Sequence, residues 1–402
     1  MSKLDRTTAL RRAPSLRIEI DANNDVRILK GGISVKCHAH GLAVLDVFSR
    51  YTTLCDALDT LDSRIVGAVD WIDLIDTIVT LYDAGILETD GAGGLPKTPP
   101  VAFGSPQVHI RMLNDRDRTD SFMHGVREVV REGDVVVDIG TGTGILAVTA
   151  VQCGARHVYA IEASAISSAA RAVIEANGMS DRISLIEGWS TRVSLPEKAD
   201  VLVSELMGAD PLTENILEIT MDDVQRFFKK GASIVPQRLR IYGLPVNIPA
   251  RELSEHLFTE DSAENWERWY RIRFSALAQL QTQMPASFFV RPTDILHWRA
   301  FAPAVMLAHI DLTCFAETVI SSRVAVMASE PGLCNGIVLY FELDVGRDYH
   351  LSTAREKVKT SNHWGNRVFC TPNAIEMNAG DSLQLSYEYA LGRSWLEIRK
   401  GS

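Results

Sequence analysis

The chain has 402 residues, enough for two or three domains, and its 46% hydrophobic content is that of an ordinary globular protein. Its formal net charge of −10 argues against general nucleic-acid binding. No apolar run reaches the ~20 residues of a membrane helix, and the N-terminal basic residues Lys3, Arg6, Arg11 and Arg12 are not followed by the apolar stretch of a signal peptide. The six cysteines are scattered with no CxxC pair, so a cytoplasmic protein with free thiols and no metal site is expected.

In chain order, residues 1–16 read as a mobile arm. Residues 17–88 read as a compact unit. RIEI and DVRILK are short strands around the turn ANND. LAVLDVFSR, TLCDALDTL and VDWIDLIDTIVTLYDAGIL have helical spacing, the last ending at Gly85 as a cap. Residues 89–100, TDGAGGLPKTPP, have the Gly and Pro content of a linker. Residues 101–240 read as an α/β cofactor domain, and 241–402 alternate as the strands of a β-barrel-like domain do, as in GIVLYFELDV and SLQLSYEYAL. Within that half, ENWERWYRIRFSALAQLQ at 264–281 is helical. Its Trp266, Trp269, Tyr270 and Phe274 suit either a partner subunit or core packing.

The most informative segment is VVVDIGTGTGILAVTA at 135–150. An apolar strand ends at Asp138, Gly140, Gly142 and Gly144 follow at every second position, and a helix begins. Glycines let the backbone turn sharply and approach a ligand, and the helix start offers free N–H groups. Glu162 ends the next apolar run, HVYAIE, where a ribose hydroxyl is gripped in nucleotide-binding folds. After a further strand, ADVLVSE, come Glu205 and Glu214 within SELMGADPLTEN.

These motifs resemble the protein arginine methyltransferases, which use S-adenosyl-L-methionine (SAM). The glycine turn stands for the SAM site, and Glu205 and Glu214 stand at the spacing of that family's double-glutamate loop. VHIRMLNDRDRT at 108–119 looks like the segment before the SAM strand, with His109, Met112, Asp115 and Arg118 at matching positions. GASIVPQRLRIY at 231–242 is similar to the strand leaving the SAM domain, and NHW at 362–364 to the family's Thr-His-Trp loop. The resemblance implies a Rossmann-like SAM domain with a barrel and a homodimer. It implies that Arg118 pairs with the SAM carboxylate, that Met112 packs near the donor sulfur, and that Ser190 lies where adenine contacts fall. Asp115 and His363 match a His–Asp pair in which the carboxylate orients the ring. Leu206 replaces an aromatic residue, and Pro99, Pro100 and Phe103 stand where the family's tyrosines fall, so the acceptor pocket is reshaped.

Residues 17–88 resemble the winged-helix recognition element of ribosomal-peptide maturation enzymes. The function implied is SAM-dependent N-methylation of a ribosomally made precursor peptide on an arginine guanidinium, with the leader bound by residues 17–88. A primary amine installed on such a peptide is one alternative acceptor. A non-catalytic SAM-fold scaffold is the alternative of another class.

Overall fold

A computed structural model describes residues 8–13, 16–20, 26–30, 33–37, 40–62, 65, 67–89, 101–278, 286–359, 362–390 and 392–401. The chain divides into two compact units, one formed mainly by its first 98 residues and the other by nearly all of the rest.

In the first unit, β1 (Ala9–Arg12), β2 (Arg17–Ile20), β3 (Val26–Lys30) and β4 (Ile33–Cys37) precede α1 (Gly41–Val47), β5 (Thr52–Thr53), α2 (Leu54–Leu61), α3 (Gly67–Asp83) and β6 (Leu87–Thr89). The three helices fall where the apolar spacing puts them. α2 starts at Thr53, whose side chain accepts the Asp56 N–H. After α3, Gly85 takes a φ of 68°, the left-handed turn that stops a helix. Leu10, Ile28, Val44, Phe48, Leu61, Leu74 and Leu81 are buried in one core.

The expected mobile arm is in part a strand. β1 pairs antiparallel with β5 and β6, and Leu10 is fully buried. One apolar residue in a basic segment was too weak a periodic signal to read as a strand. The expected turn at 22–25 and linker residues 90–100 lie outside the described residues.

The second unit opens with α4 (Pro106–Asn114) and α5 (Arg116–Val129). Then come β7 (Val135–Ile139), α6 (Ile145–Gln152), β8 (His157–Glu162), α7 (Ser167–Ala176), β9 (Ile183–Glu187), β10 (Ala199–Ser204), α8 (Ile216–Phe227) and β11 (Phe228–Val235). The five strands form a parallel sheet in the order β11-β10-β7-β8-β9. β7 is buried along its whole length, which explains its unbroken apolar run. Strand order reverses between β7 and β10. In such sheets the crevice at the carboxyl ends of those two strands takes the ligand.

The barrel half begins with β12 (Arg238–Asn247), a few residues before the sequence boundary, followed by α9 (Ala250–Leu253), α10 (Glu260–Tyr270), β13 (Ser287–Val290), β14 (Arg299–Ala300), β15 (Val305–Asp311), β16 (Ile320–Met327), β17 (Gly332–Asp344), β18 (His350–Ser352), β19 (Asn366–Met377), β20 (Ser382–Ala390) and β21 (Arg393–Lys400). Its main sheet runs β13-β19-β17-β12-β14, with β15 on β12 and β18 on β17. β16 and β20 pair antiparallel in a second sheet. Alternate residues of β20 are buried, the period-2 pattern of a half-buried strand. α10 is shorter than the spacing suggests. Arg271 adopts a left-handed φ of 59° and ends it. Trp266 packs edge-on to Phe274, while Trp269 and Tyr270 stay more than half exposed. No helix among the described residues is long and apolar enough to cross a membrane.

α5 meets the barrel through Gly125, where a Cβ would stand 2.1 Å from the carbonyl oxygen of Val345. A backbone oxygen cannot give way as a side-chain tip can. Gly125→Ala should therefore destabilise by about 1–3 kcal/mol despite the better helix propensity of alanine. Urea denaturation would measure it, and an unchanged midpoint would refute this reading of the contact.

Candidate functional site

The crevice is built from the ends of β7, β8 and β10 with α4 and α5 over it. After β7, Gly140, Gly142 and Gly144 take φ values of 70°, 58° and 83°, each costly for a residue with a Cβ. A Cβ on Gly140 would stand 2.5 Å from Leu206 Cδ2, and one on Gly142 would stand 3.1 Å from His109 Cε1. The turn is therefore bare because space as well as dihedral demands it. His109 is buried, and its Nε2 bonds the Phe103 carbonyl oxygen at 2.8 Å.

Asp138 is buried at the strand end, and Thr141 donates to it at 2.5 Å. Burial pushes its carboxyl up to about 7, with the hydroxyl bond opposing and the charges of Glu162 and Glu205 assisting. Glu162 is buried at the end of β8. Its Oε2 accepts the Gly142 N–H at 2.9 Å and its Oε1 the Ser164 N–H at 2.8 Å. Glu162 thus holds the glycine turn in shape. A carboxylate has about four lone-pair sites, so it retains acceptor capacity for a ribose.

Arg118 of α5 and Glu205 at the end of β10 form a buried ion pair through Nη2 and Oε2. The guanidinium also lies over the Trp364 ring, 5.5 Å from its centroid. Burial raises the Glu205 carboxyl, and the charge of Arg118 and its hydrogen bond pull it back. Glu214 is pushed up to about 8, first by burial and then by the negative charge of Glu205, with Arg118 opposing. The two acids are thus brought into electrostatic contact in one pocket, with the Glu205 side chain buried and Glu214 half-buried. Arg118 Nε and Glu205 Oε1 are buried without a hydrogen-bond partner among the described residues. A ligand with a carboxylate near Arg118 and a cation near Glu205 would satisfy both.

Asp115 and His363 do meet, but not as the sequence pattern implies. Asp115 caps α5, its Oδ1 accepting the Arg118 N–H at 3.3 Å, while its Oδ2 accepts the backbone N–H of His363 at 2.7 Å. The carboxylate thus fixes the NHW loop by its backbone rather than steering the imidazole. Burial, then Arg118, Arg111 and His109, depress the His363 ring to about 4, so it is neutral near pH 7.

Met112 is half-buried on α4, and its carbonyl accepts the Thr119 hydroxyl at 3.2 Å. Ser190 is buried after β9 and engaged from α8. Its carbonyl accepts Arg226 Nη2 at 2.6 Å. Thr141 and Trp364 were missing from the sequence-derived site. The Trp364 indole donates to the Met207 carbonyl at 2.7 Å, tying the NHW loop to the start of the Glu205–Glu214 loop. A tryptophan next to the selected histidine was the available signal.

Comparison with known proteins fits this architecture. Residues 116–275 match the family model of ribosomal protein L11 methyltransferase, and residues 250–397 match that of the arginine methyltransferase oligomerization subdomain. The chain is 34% identical over 210 residues to a probable protein arginine N-methyltransferase 6 of Arabidopsis thaliana, a match covering 51% of this chain and 46% of that protein. It is 28% identical over 301 residues to the Arabidopsis protein arginine N-methyltransferase PRMT10, covering 68% and 77% of the two chains. Two solved structures share the fold. A Trypanosoma brucei PRMT1 enzyme–prozyme complex with AdoHcy has a TM-score of 0.62 at 23% identity, covering 71% of this chain and 89% of that one. Arabidopsis PRMT10 has a TM-score of 0.62 at 24% identity, covering 74% and 93%. In fold, motif order and both matched subdomains, the chain is similar to the protein arginine methyltransferases.

Proposed function

We propose that the chain transfers a methyl group from SAM to a guanidinium nitrogen of a peptide arginine, the peptide being a ribosomally made precursor whose leader binds the first unit. One observation carries the reading of the acceptor. Glu205 already holds a guanidinium, that of Arg118, in a buried pair beside Glu214. The pocket therefore offers an arginine side chain the recognition it gives its own. Charge-assisted contacts of this kind contribute roughly 1.5–3 kcal/mol each.

In this reading Glu162 takes the ribose, the glycine turn lies under the nucleoside and Arg118 takes the carboxylate of SAM. SAM supplies the electrophilic methyl. The protein's part is to hold an acceptor nitrogen in line at near-attack distance. Glu205 and Glu214 would orient the guanidinium fork and concentrate its positive charge away from the attacking nitrogen. A homodimer is part of the proposal. It is supported by the oligomerization-subdomain match and by the exposed Trp269, Tyr270, Ile272 and Leu277.

The leader reading is supported by the first unit's sheet. Its order β2-β3-β4 leaves β2 as an edge among the described residues, and Ile18 and Ile20 of β2 are exposed. An edge strand with exposed apolar side chains suits strand addition by an extended peptide.

The SAM assignment is tested by Gly142→Val. The branched side chain would strain a φ of 58° and press on His109. Calorimetry on the folded variant should show SAM affinity at least tenfold weaker, about 1.4 kcal/mol. Unchanged affinity would remove the glycine turn from the site.

Glu205→Gln and Glu214→Gln should each lower kcat on the order of 10²–10³ while SAM still binds. The pH profile adds a sign. Glu214 must be ionised to grip a cation, and its carboxyl sits at about 8. In the parent enzyme kcat/KM should therefore rise as pH increases through about 8, and Glu214→Gln should abolish that limb. Near-parental rates in both variants would mean that the acceptor is held elsewhere. Product analysis by mass spectrometry separates an arginine from a primary amine.

For the leader, the comparison uses the intact enzyme. A precursor with its leader should show a KM at least tenfold below that of the core peptide alone, because tethering raises the local concentration. Equal KM values would reassign the first unit to another task.

A further inference from the structure

The loop between Glu205 and Glu214 carries a charged residue that the reading above does not use. Asp210 lies in its middle with no exposed surface. Its Oδ2 pairs with Arg367 Nη1 at 2.9 Å. Arg367 stands on β19, in register with Phe289 of β13 and Leu339 of β17. Its guanidinium lies over the Phe369 ring at 4.5 Å, and its Nη2 donates to Ser287 Oγ at 3.0 Å. The cation is thus held in place from the barrel side before it reaches the loop.

Asp210 passes that constraint on. Its carbonyl accepts both the N–H and the hydroxyl of Thr213, at 3.2 and 2.8 Å, and Thr213 directly precedes Glu214. Upstream, Trp364 pins the Met207 carbonyl. Between the two pins lie Gly208 and Ala209. A Cβ on Gly208 would stand 3.2 Å from Glu214 Oε1. The backbone stretched between the barrel's two attachments is therefore a wall of the Glu214 pocket.

We propose that Arg367 and Asp210 are a positioning pair: through them the barrel strand fixes the loop that places Glu214 and limits the water that reaches its carboxylate. The proposal rests on the reading of Glu214 as an anchor for the acceptor. Asp210 is fully buried and Arg367 partly so, and removing Arg367 takes a charge partner from a carboxylate that has no access to water, so the loop must rearrange to hydrate it. A pair serving only to bolt the barrel in place would lower stability and leave the pocket of the folded protein as it was.

The test uses the full-length protein with Arg367→Gln, Arg367→Lys and the isosteric Asp210→Asn, which carries the test if a change at Arg367 prevents folding. In the folded variants, SAM affinity by calorimetry should stay within twofold of the parent. Hydrogen exchange at residues 206–214 should speed up at least tenfold while residues 135–162 keep their protection. With an arginine peptide, kcat should fall at least tenfold. The acidic limb of kcat/KM should move below pH 8 as Glu214 gains water, and Arg367→Lys should recover part of both effects. Parental exchange at 206–214 together with an unmoved limb would overturn the pair's role. If the parent shows no methyl transfer, the reading of function fails, and the exchange measurement still decides whether the pair holds the loop.

Discussion

A carboxylate and a guanidinium are buried together, with a second, half-buried carboxylate beside them, where the strand order of the parallel sheet reverses, and the second unit is arranged around that. Neither Glu205 nor Glu214 gains anything from burial alone, since taking an ion out of water costs several kcal/mol even after relaxation. Arg118 offsets part of the cost for Glu205, and the penalty left on Glu214 is visible as a carboxyl held at about 8. A site of this kind persists only if the structure around it leaves the charges no easier place. β10 supplies a strand buried at every residue but Asp200 ahead of Glu205. Asp115 caps the helix that carries Arg118 and holds the NHW loop through the same carboxylate. One acid therefore couples the orientation of α5 to a loop 248 residues away in sequence.

The glycine turn meets the same pocket from the other side. Leu206, the residue after Glu205, reaches to the α-carbon face of Gly140. The loop that would hold an acceptor and the turn that would hold a nucleoside are thus packed on one another rather than merely adjacent. Glu162 completes the arrangement by spending its carboxylate on two backbone N–H groups, which fixes the turn before any ligand is considered. Asp138 has a quieter role. Its proximity to Glu162 and Glu205 adds to the pressure on its carboxyl, and the Thr141 hydroxyl limits it.

Local patterns were legible in the sequence, and side-chain partnerships were not. The strand–turn–helix at 135–150 shows itself because glycine at a left-handed φ and an unbroken apolar strand are constraints written in adjacent residues. The helices of the first unit follow from 3.6-residue spacing in the same way. β1 stayed hidden because its pairing partners, β5 and β6, are distant in sequence and only Leu10 marks its buried face. The early end of α10 at Arg271 was hidden too, since a non-glycine residue gives no notice of a left-handed turn. At the site, the family resemblance put Asp115 beside His363, but which atoms meet depends on the loop's backbone, and the answer is an N–H rather than a ring. Nothing in the sequence singled out Asp210, because its partner Arg367 lies 157 positions later.

For an arginine acceptor these environments also rank the groups that could take the proton released when the methylated guanidinium sheds one. His363 is the residue a pattern-based reading would choose, yet its ring is depressed to about 4 by burial and by three neighbours that carry or can carry positive charge. A base that weak drives proton transfer poorly near pH 7, and protonating it would place another cation beside Arg118. Glu214, at about 8, is far better matched, and a proton on it relieves its repulsion with Glu205. The same burial that makes Glu214 costly to ionise makes it a competent acceptor once a cation has drawn it into the ionised form. Binding and proton removal then become successive uses of one carboxylate, with His363 left as a neutral, backbone-held wall of the pocket.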